Sequence, residues 1–238
     1  HENEIAQSEA FSGRPFVKYW MHNGFVNINQ QKMSKSLGNF FTLKDIFKKF
    51  DPQVVRFFLL LTHYRSPINY SDQEIASAQE AYHRLTRFVS DLDYLLTNSR
   101  TKAPNIELSD LKDELREFQD KLKVALDDDF NTAGALAEIF NLIHYCRKKI
   151  EMGEVERECL IAMKQMVETL AGILGITIKT ESAVSDKTTQ EVELLIAERE
   201  AARKAKDFKK ADELRSQLTL LGVVIEDTPQ GTRWVKNA

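Results

Sequence analysis

The sequence lacks several features that would settle its class at a glance. Neither sign of charge dominates: Lys and Arg total 33 against 36 Asp and Glu, a formal net charge of −3. A globally basic nucleic-acid binder is excluded, so any contact with a polyanion must come from a local patch. Cysteine is scarce. The two cysteines, Cys146 and Cys159, sit in helix-like apolar patterns, which points to free thiols in a reducing compartment rather than a disulfide framework. No uninterrupted apolar run could span a bilayer, no signal-peptide pattern opens the chain, and no internal repeat is present. The expectation is a cytoplasmic protein with no membrane partner. Methionine is missing from the first position, where His1 leads straight into helix-like sequence, and a fragment of a longer protein is expected.

What is present, over 238 residues, allows one large domain or two smaller ones. Ile5, Ala6 and Ala10 predict a helix ending before Gly13 and Pro15, and "FVNI" at 25–28 predicts a strand. Thr42 is placed to cap a short helix through Phe50. Asp51-Pro52 is a strong helix start opening "QVVRFFLLLTHY", apolar nearly all round and so expected to be buried. Ser71 with Glu74 fits a capping box, and Ile75, Ala78, Tyr82, Leu85, Val89, Leu92 and Leu96 share one helical face. After the polar connection "TNSRTKAPNIELSD", three further amphipathic helices follow: one through Leu111–Leu126, one through Leu136–Ile150, one through Leu160–Leu174. Four such helices with short connections predict an antiparallel bundle. Residues 176–190 lack periodicity and read as a linker. Beyond them come a helix to about Lys204, another from Phe208 to Leu221, and the strands "VVIED" and "TRWVK" joined by "TPQG".

The stretch "QQKMSKSLGNFF" (30–41) places Lys32, Lys35, Ser34 and Ser36 on a polar turn between apolar segments. A solvated loop and a phosphate-handling loop both fit these residue types. A mobile loop bearing ammonium groups can meet charge that develops only as a leaving group departs, and Gly38 supplies a hinge without a Cβ penalty.

Context favours the second reading. The pentapeptide is extended by Leu37-Gly38-Asn39, preceded by "YWMHNGFV" (19–26) and followed by "DPQVVRFFLLLTHYRS" (51–66). In these features the chain resembles the class I aminoacyl-tRNA synthetases, whose second signature is this lysine loop. The opening "HENEIAQSEAF", the segment "DDDFNTAGAL" and the ending "EDTPQGTRW" are similar to the cysteinyl-tRNA synthetase family in particular. The resemblance covers essentially the whole chain.

It implies a mainly α fold: the tail end of a Rossmann-type catalytic domain (1–70), a helical bundle (71–175), the linker (176–190) and a small α+β anticodon-binding domain (191–238). It implies ATP-dependent activation of cysteine to cysteinyl-adenylate and transfer to tRNA(Cys), with Mg2+ accompanying ATP, by a monomer. Lys32 and Lys35 match the catalytic lysines of the loop; Lys35, Ser34 and His22 match ATP-binding positions. The family holds one zinc ion on two Cys, one His and one Glu to bind the substrate thiolate. Here Glu4 matches the Glu ligand, while His1 matches a neighbouring histidine that is not a ligand. The ligand histidine would precede residue 1, and Cys146 and Cys159 fall in the bundle, so this chain alone is expected to bind no zinc. The first, His-x-Gly-His type, signature is also lacking, and this chain by itself is expected to be inactive. No editing domain is present.

Without the resemblance, Glu2 and Glu4 read as helix N-terminal carboxylates. Trp20 and His22 divide between an adenosine pocket and a packed aromatic with a satisfied core histidine. In "DDDFNT", Asp129 or Asn131 reads as a helix cap, and Tyr64 and Arg65 are weaker candidates for touching an acceptor stem. The stretch "REAARKAKDFKKADELRSQL" clusters Arg199, Arg203, Lys204, Lys206, Lys209, Lys210 and Arg215 around Phe208. That is either a solvated face or a surface offering cations to phosphates and a ring to a base. By the resemblance, Arg203, Phe208 and Asp227 are the anticodon-contacting positions. Two other classes stay open: a cysteine–amino-sugar ligase with the same catalytic core, and a non-catalytic RNA-binding module.

Overall fold

The computed structural model describes residues 1–34, 39, 42–98, 107–153, 155–178, 186–204, 207–221, 223–228 and 231–236. The chain divides into two compact units, one of residues 1–89 and 101–178, the other of residues 90–100 and 179–238. Helix dominates both.

The first unit opens with α1 (Glu2–Ser12), which Gly13 ends in the left-handed region (φ 64°), its N–H bonding the Glu9 carbonyl at 2.8 Å. No residue of α1 is buried, and Phe11, Tyr19 and Phe25 are largely exposed. Strand β1 (Val26–Ile28) confirms the expected strand. Two further short strands were not legible in the sequence. β2 (Gln31–Lys32) pairs antiparallel to β1, with Asn27 opposite Lys32, and β3 (Ile68–Tyr70) pairs parallel to it, with Val26 opposite Ile68. The resulting sheet has the order β2-β1-β3. Asn29 and Gln30, both at positive φ, make the tight turn between β1 and β2.

Helix α2 (Leu43–Ile46) is shorter than the sequence predicts, stopping at Ile46 instead of Phe50. Its start is the expected one: Thr42 and Asp45 form a reciprocal capping box. Helix α3 (Pro52–Leu60) is capped by Asp51, whose carboxylate accepts from the Gln53 N–H at 2.7 Å. It is not buried all round. Val54, Val55, Phe57 and Phe58 are buried, but Arg56 and Leu59 are exposed, so one apolar stripe packs and the rest meets water.

Helix α4 (Asp72–Asn98) begins where Ser71 Oγ accepts from the Glu74 N–H at 3.1 Å. Helices α5 (Leu108–Asp127), α6 (Thr132–Glu151) and α7 (Arg157–Ile173) pack on one another, and α6 also meets α3. Phe57 marks the centre. Fully buried, it sits edge-on to Tyr82 of α4 and Phe140 of α6, at centroid distances of 6.1 and 6.3 Å. The Tyr82 hydroxyl, in turn, donates to the Thr177 carbonyl at 2.8 Å. Cys146 and Cys159 are buried and form no disulfide.

In the second unit α8 (Asp186–Lys204) and α9 (Phe208–Leu220) pack together, and α9 packs on β4 (Val223–Thr228), which forms an antiparallel hairpin with β5 (Gly231–Lys236). Val192, Ile196, Leu218 and Val223 form its core. The stretch read as a linker carries structure at both ends: Ile176 is buried, and α8 starts at Asp186. Among the described residues, no helix is long and apolar enough to cross a membrane.

Candidate active site and nucleic-acid interface

An open groove of about 530 Å³ is lined by residues 20–25 together with Arg65 and Pro67. Its walls follow from the sheet. The Gly24 N–H bonds the Tyr64 carbonyl at 2.6 Å, and the Ile68 N–H bonds the Phe25 carbonyl at 2.9 Å, so segments 24–28 and 64–70 run as one surface. Glycine is required at 24, because a Cβ there would lie 2.2 Å from the Ser66 carbonyl oxygen. Trp20 and His22 both line this groove and both are exposed in this chain. His1, Trp20 and His22 stack: His1 lies 5.4 Å from Trp20 and 5.2 Å from His22 between ring centroids. Flat rings facing an open groove offer stacking surface to a purine.

β2, which carries the first lysine of the motif, adjoins this groove through Phe25. Lys32 is not on a free turn as the sequence reading had it. Its backbone pairs with Asn27, and its ammonium sits 5.3 Å above the Phe25 ring. Asn39 closes the loop's base from the far side, its carbonyl oxygen accepting from the Ser34 N–H at 2.8 Å and its amide donating to the Lys32 carbonyl at 3.2 Å. Ser34 is half-buried there. Lys35, Ser36 and Gly38 lie outside the described residues.

Glu4 is on α1, exposed, with its carboxylate 3.8 Å from His1 Nδ1. Among the described residues no three His, Cys, Asp or Glu side chains converge on a point that could hold a metal. One carboxylate does not make a tetrahedral site, so the donor set here does not fit zinc, and no chemistry is routed through it.

A cluster the sequence reading missed lies beside the groove. Asp129 does not cap α6; Asn131 does, accepting from the Gly134 N–H at 2.8 Å. Asp129 instead accepts from the Tyr64 hydroxyl at 2.8 Å and from an Arg65 terminal nitrogen at 3.3 Å, with an ion pair to Arg65 Nε at 2.9 Å, while its carbonyl accepts from His63 Nε2 at 3.0 Å. Tyr64, by its hydroxyl, and the Asp129 charge hold the Arg65 pKa above its ordinary value. These side chains are engaged with Asp129 just before α6, while Arg65 also lines the groove. The available signal was the pairing of "HYR" with "DDDF", but nothing in one sequence says that two segments 65 residues apart will meet.

In the second unit, Arg203 is exposed near the end of α8. Phe208 opens α9 at 65% exposure, directly after Asp207, whose carboxylate caps the helix by accepting from the Lys210 N–H at 3.1 Å. Lys209 and Lys210 are exposed on the same turn. Asp227 stands in β4 opposite Thr232. Arg199 departs from the expected basic surface, being buried at 6% exposure. Lys206 lies outside the described residues.

Comparison with known proteins is consistent along the chain. Residues 1–80 match the tRNA synthetases class I (C) catalytic domain, residues 121–179 the DALR domain, and residues 185–234 the Cysteinyl-tRNA ligase anticodon binding domain. Among relatives, the Cysteine--tRNA ligase of Geobacter sulfurreducens is 41% identical over 98% of this chain and 51% of its own length. That of Geotalea daltonii is 45% identical over 98% and 52%, and that of Bacillus licheniformis 42% identical over 98% and 49%. The chain thus spans about half the length of the curated relatives it matches. Among solved structures, the LeuRS of a ternary LeuRS–tRNA–LeuAMS complex from Agrobacterium radiobacter K84 aligns with a TM-score of 0.52 at 17% identity. That alignment covers 98% of this chain and 34% of the other, a likeness of fold. With three matches along the chain and relatives above 40% identity, the chain belongs to the cysteinyl-tRNA synthetase family.

Proposed function

We propose that the protein is a cysteine–tRNA ligase, to which this chain contributes the lysine loop, the bundle and the anticodon-reading unit. The reading is carried by one observation: Lys32 sits over Phe25 of an aromatic groove and is tied by Asn39 to Ser34, on a chain that also matches an anticodon-binding domain. In the first half-reaction the cysteine carboxylate attacks the α-phosphorus of ATP, which enters with Mg2+, and pyrophosphate leaves. In the second, a hydroxyl of the tRNA terminal ribose attacks the acyl carbon and AMP leaves.

Within that scheme His22 and Trp20 receive the adenosine, and Ser34 with Lys35 binds the phosphates. Lys32 and Lys35 meet the negative charge that builds on departing pyrophosphate, lowering the barrier because that charge exists fully only after the ground state. Glu4 offers one carboxylate donor toward the family's zinc, which alone does not make a metal site. Phe11, Tyr19 and Phe25 present apolar surface, which supports a catalytic fold completed by further residues. Arg203, Phe208 and Asp227 contact the anticodon of tRNA(Cys). The protein acts as a cytoplasmic monomer.

The test is charging. Full-length protein given ATP, Mg2+, radiolabelled cysteine and tRNA(Cys) transcript should accumulate acid-precipitable cysteinyl-tRNA, and an amino-sugar acceptor should not replace the RNA. Transfer to the amino sugar with none to tRNA would overturn the reading in favour of the related ligase.

A further inference from the structure

Asp129 and Phe130 are consecutive non-glycine residues in the left-handed region, with φ of 52° and 55°. Such conformations persist where surrounding contacts over-determine them. Phe130 is 58% exposed, so side-chain burial does not account for the pair. The backbone closes the end of α5, with the Phe130 N–H on the Leu126 carbonyl at 3.0 Å and the Asn131 N–H on the Ala125 carbonyl at 3.2 Å; the side-chain contacts belong to Asp129. Oδ1 accepts from the Tyr64 hydroxyl at 2.8 Å and from an Arg65 terminal nitrogen at 3.3 Å, Oδ2 forms an ion pair with Arg65 Nε at 2.9 Å, and the carbonyl accepts from His63 Nε2 at 3.0 Å. His63 is held at both ring nitrogens, since Nδ1 accepts from the Arg65 N–H at 3.3 Å. Beside this cluster the Thr132 hydroxyl donates to the Leu60 carbonyl at 2.9 Å. The turn after α3 is therefore fastened to the bundle at both ends.

That turn is also the support of the lysine loop. Tyr64 accepts from Gly24 through its carbonyl, Ser66 packs against Gly24 too closely for a Cβ, and β3 carries β1 in parallel register. β1 holds β2, and β2 ends in Lys32 at the loop's base. Hydrogen bonds joined by short covalent stretches of chain thus lead from Asp129 to Tyr64, from the Tyr64 carbonyl to Gly24, and from Asn27 of the same strand segment to Lys32. None of these bundle residues reaches the groove itself, yet Arg65, which Asp129 grips, lines it.

We propose that Asp129 is a positioning residue for adenylate formation: it fixes the His63–Arg65 turn and, through it, the hairpin that aims the lysine loop. The proposal rests on the ligase reading above. Removing the carboxylate lets the turn and hairpin shift, and sub-ångström to ångström misplacement of a transition-state contact lowers turnover without touching ground-state binding of the amino acid.

The experiment is cysteine-dependent ATP–pyrophosphate exchange by the full-length protein, with kcat expressed per active site titrated by adenylate burst. Asp129→Ala should lower kcat about tenfold while KM for cysteine changes less than about twofold. Asp129→Asn, which keeps an acceptor for Tyr64 and loses the charge facing Arg65, should fall between. Tyr64→Phe should slow the wild type but add nothing in the Asp129→Ala background, since both changes break the same link. A protein that is merely less stable shows fewer titrated sites at unchanged kcat per site. That result, or multiplicative effects of Tyr64→Phe and Asp129→Ala, would overturn the proposal. Absence of exchange in the wild type would contradict the ligase reading itself and the proposal with it.

Discussion

Asn39 reaches across the base of the lysine loop to Ser34, taking its backbone N–H at 2.8 Å, and the same side chain donates to the Lys32 carbonyl at 3.2 Å. One amide thereby sets the spacing of the two strands of chain between which the loop's second lysine is carried. Asn39→Ala should leave the fold intact and slow pyrophosphate exchange about tenfold, because a loosened loop presents its cations less often in the productive place. Asn39→Asp keeps the acceptor and loses the donor, so it should lie between. Steady-state exchange at saturating ATP separates the three, and wild-type kcat in Asn39→Ala would show that the bridge is incidental.

Gly24 makes a stability prediction of a different kind. A methyl group at this position meets a carbonyl oxygen and its carbon, both backbone, at 2.2 and 2.4 Å, and neither can swing aside. Gly24→Ala should destabilise the first unit by about 2–3 kcal/mol, read as a lower urea midpoint at unchanged slope. Gly172→Ala is the control, since its added Cβ meets nothing within 4 Å, and it should be neutral or slightly stabilising.

Burial pushes the Cys146 thiol up to about 12, and burial with Glu156 and Glu158 raises that of Cys159. A raised thiol pKa means that the native state keeps a proton the unfolded chain gives up. The associated stabilisation is complete below the ordinary value of 9.0 for Cys146 and is lost as pH climbs from there toward about 12. At pH 8 neither thiol should react with a thiol reagent before unfolding. Rapid labelling of native protein would contradict the buried, protonated placement.

The tail offers separable outcomes. Phe208→Ala removes an exposed ring and should weaken tRNA(Cys) binding by about 1–3 kcal/mol. Asp227→Ala should reduce discrimination between anticodons more than affinity, as loss of a base-edge acceptor does. Lys209→Ala and Lys210→Ala should weaken all tRNAs alike and flatten the salt dependence. Binding of cognate and anticodon-swapped transcripts at two salt concentrations distinguishes these patterns.

Helices were legible because each carries its own local statement. Thr42 with Asp45, Asp51 with Pro52, and Ser71 with Glu74 announced starts that the structure keeps. Gly13 announced an end. The strands β2 and β3 were not legible. β2 is a two-residue strand in a tight hairpin with β1, too short to carry a pattern, and β3, three residues long, pairs with a parallel partner about 40 residues away, which no local pattern encodes. Lys32 was readable as a charge on a turn, but not as a strand residue over Phe25. "DDDFNT" advertised a cap, and one of its members is a cap. That Asp129 turns away from the helix to grip Tyr64 and Arg65 depends on left-handed backbone at two ordinary residues, a tertiary override that propensity opposes. The arginine pattern around Phe208 predicted exposure for Arg199, which the helix periodicity of α8 instead turns inward.

The account rests most heavily on the lysine loop acting on departing pyrophosphate, and Lys35→Ala in the full-length protein tests it most directly. Cysteine-dependent ATP–pyrophosphate exchange should fall about 10²–10³-fold in kcat with KM for cysteine essentially unchanged, as for any contact made only in the transition state. An unaltered kcat accompanied by a large rise in KM for cysteine would contradict it.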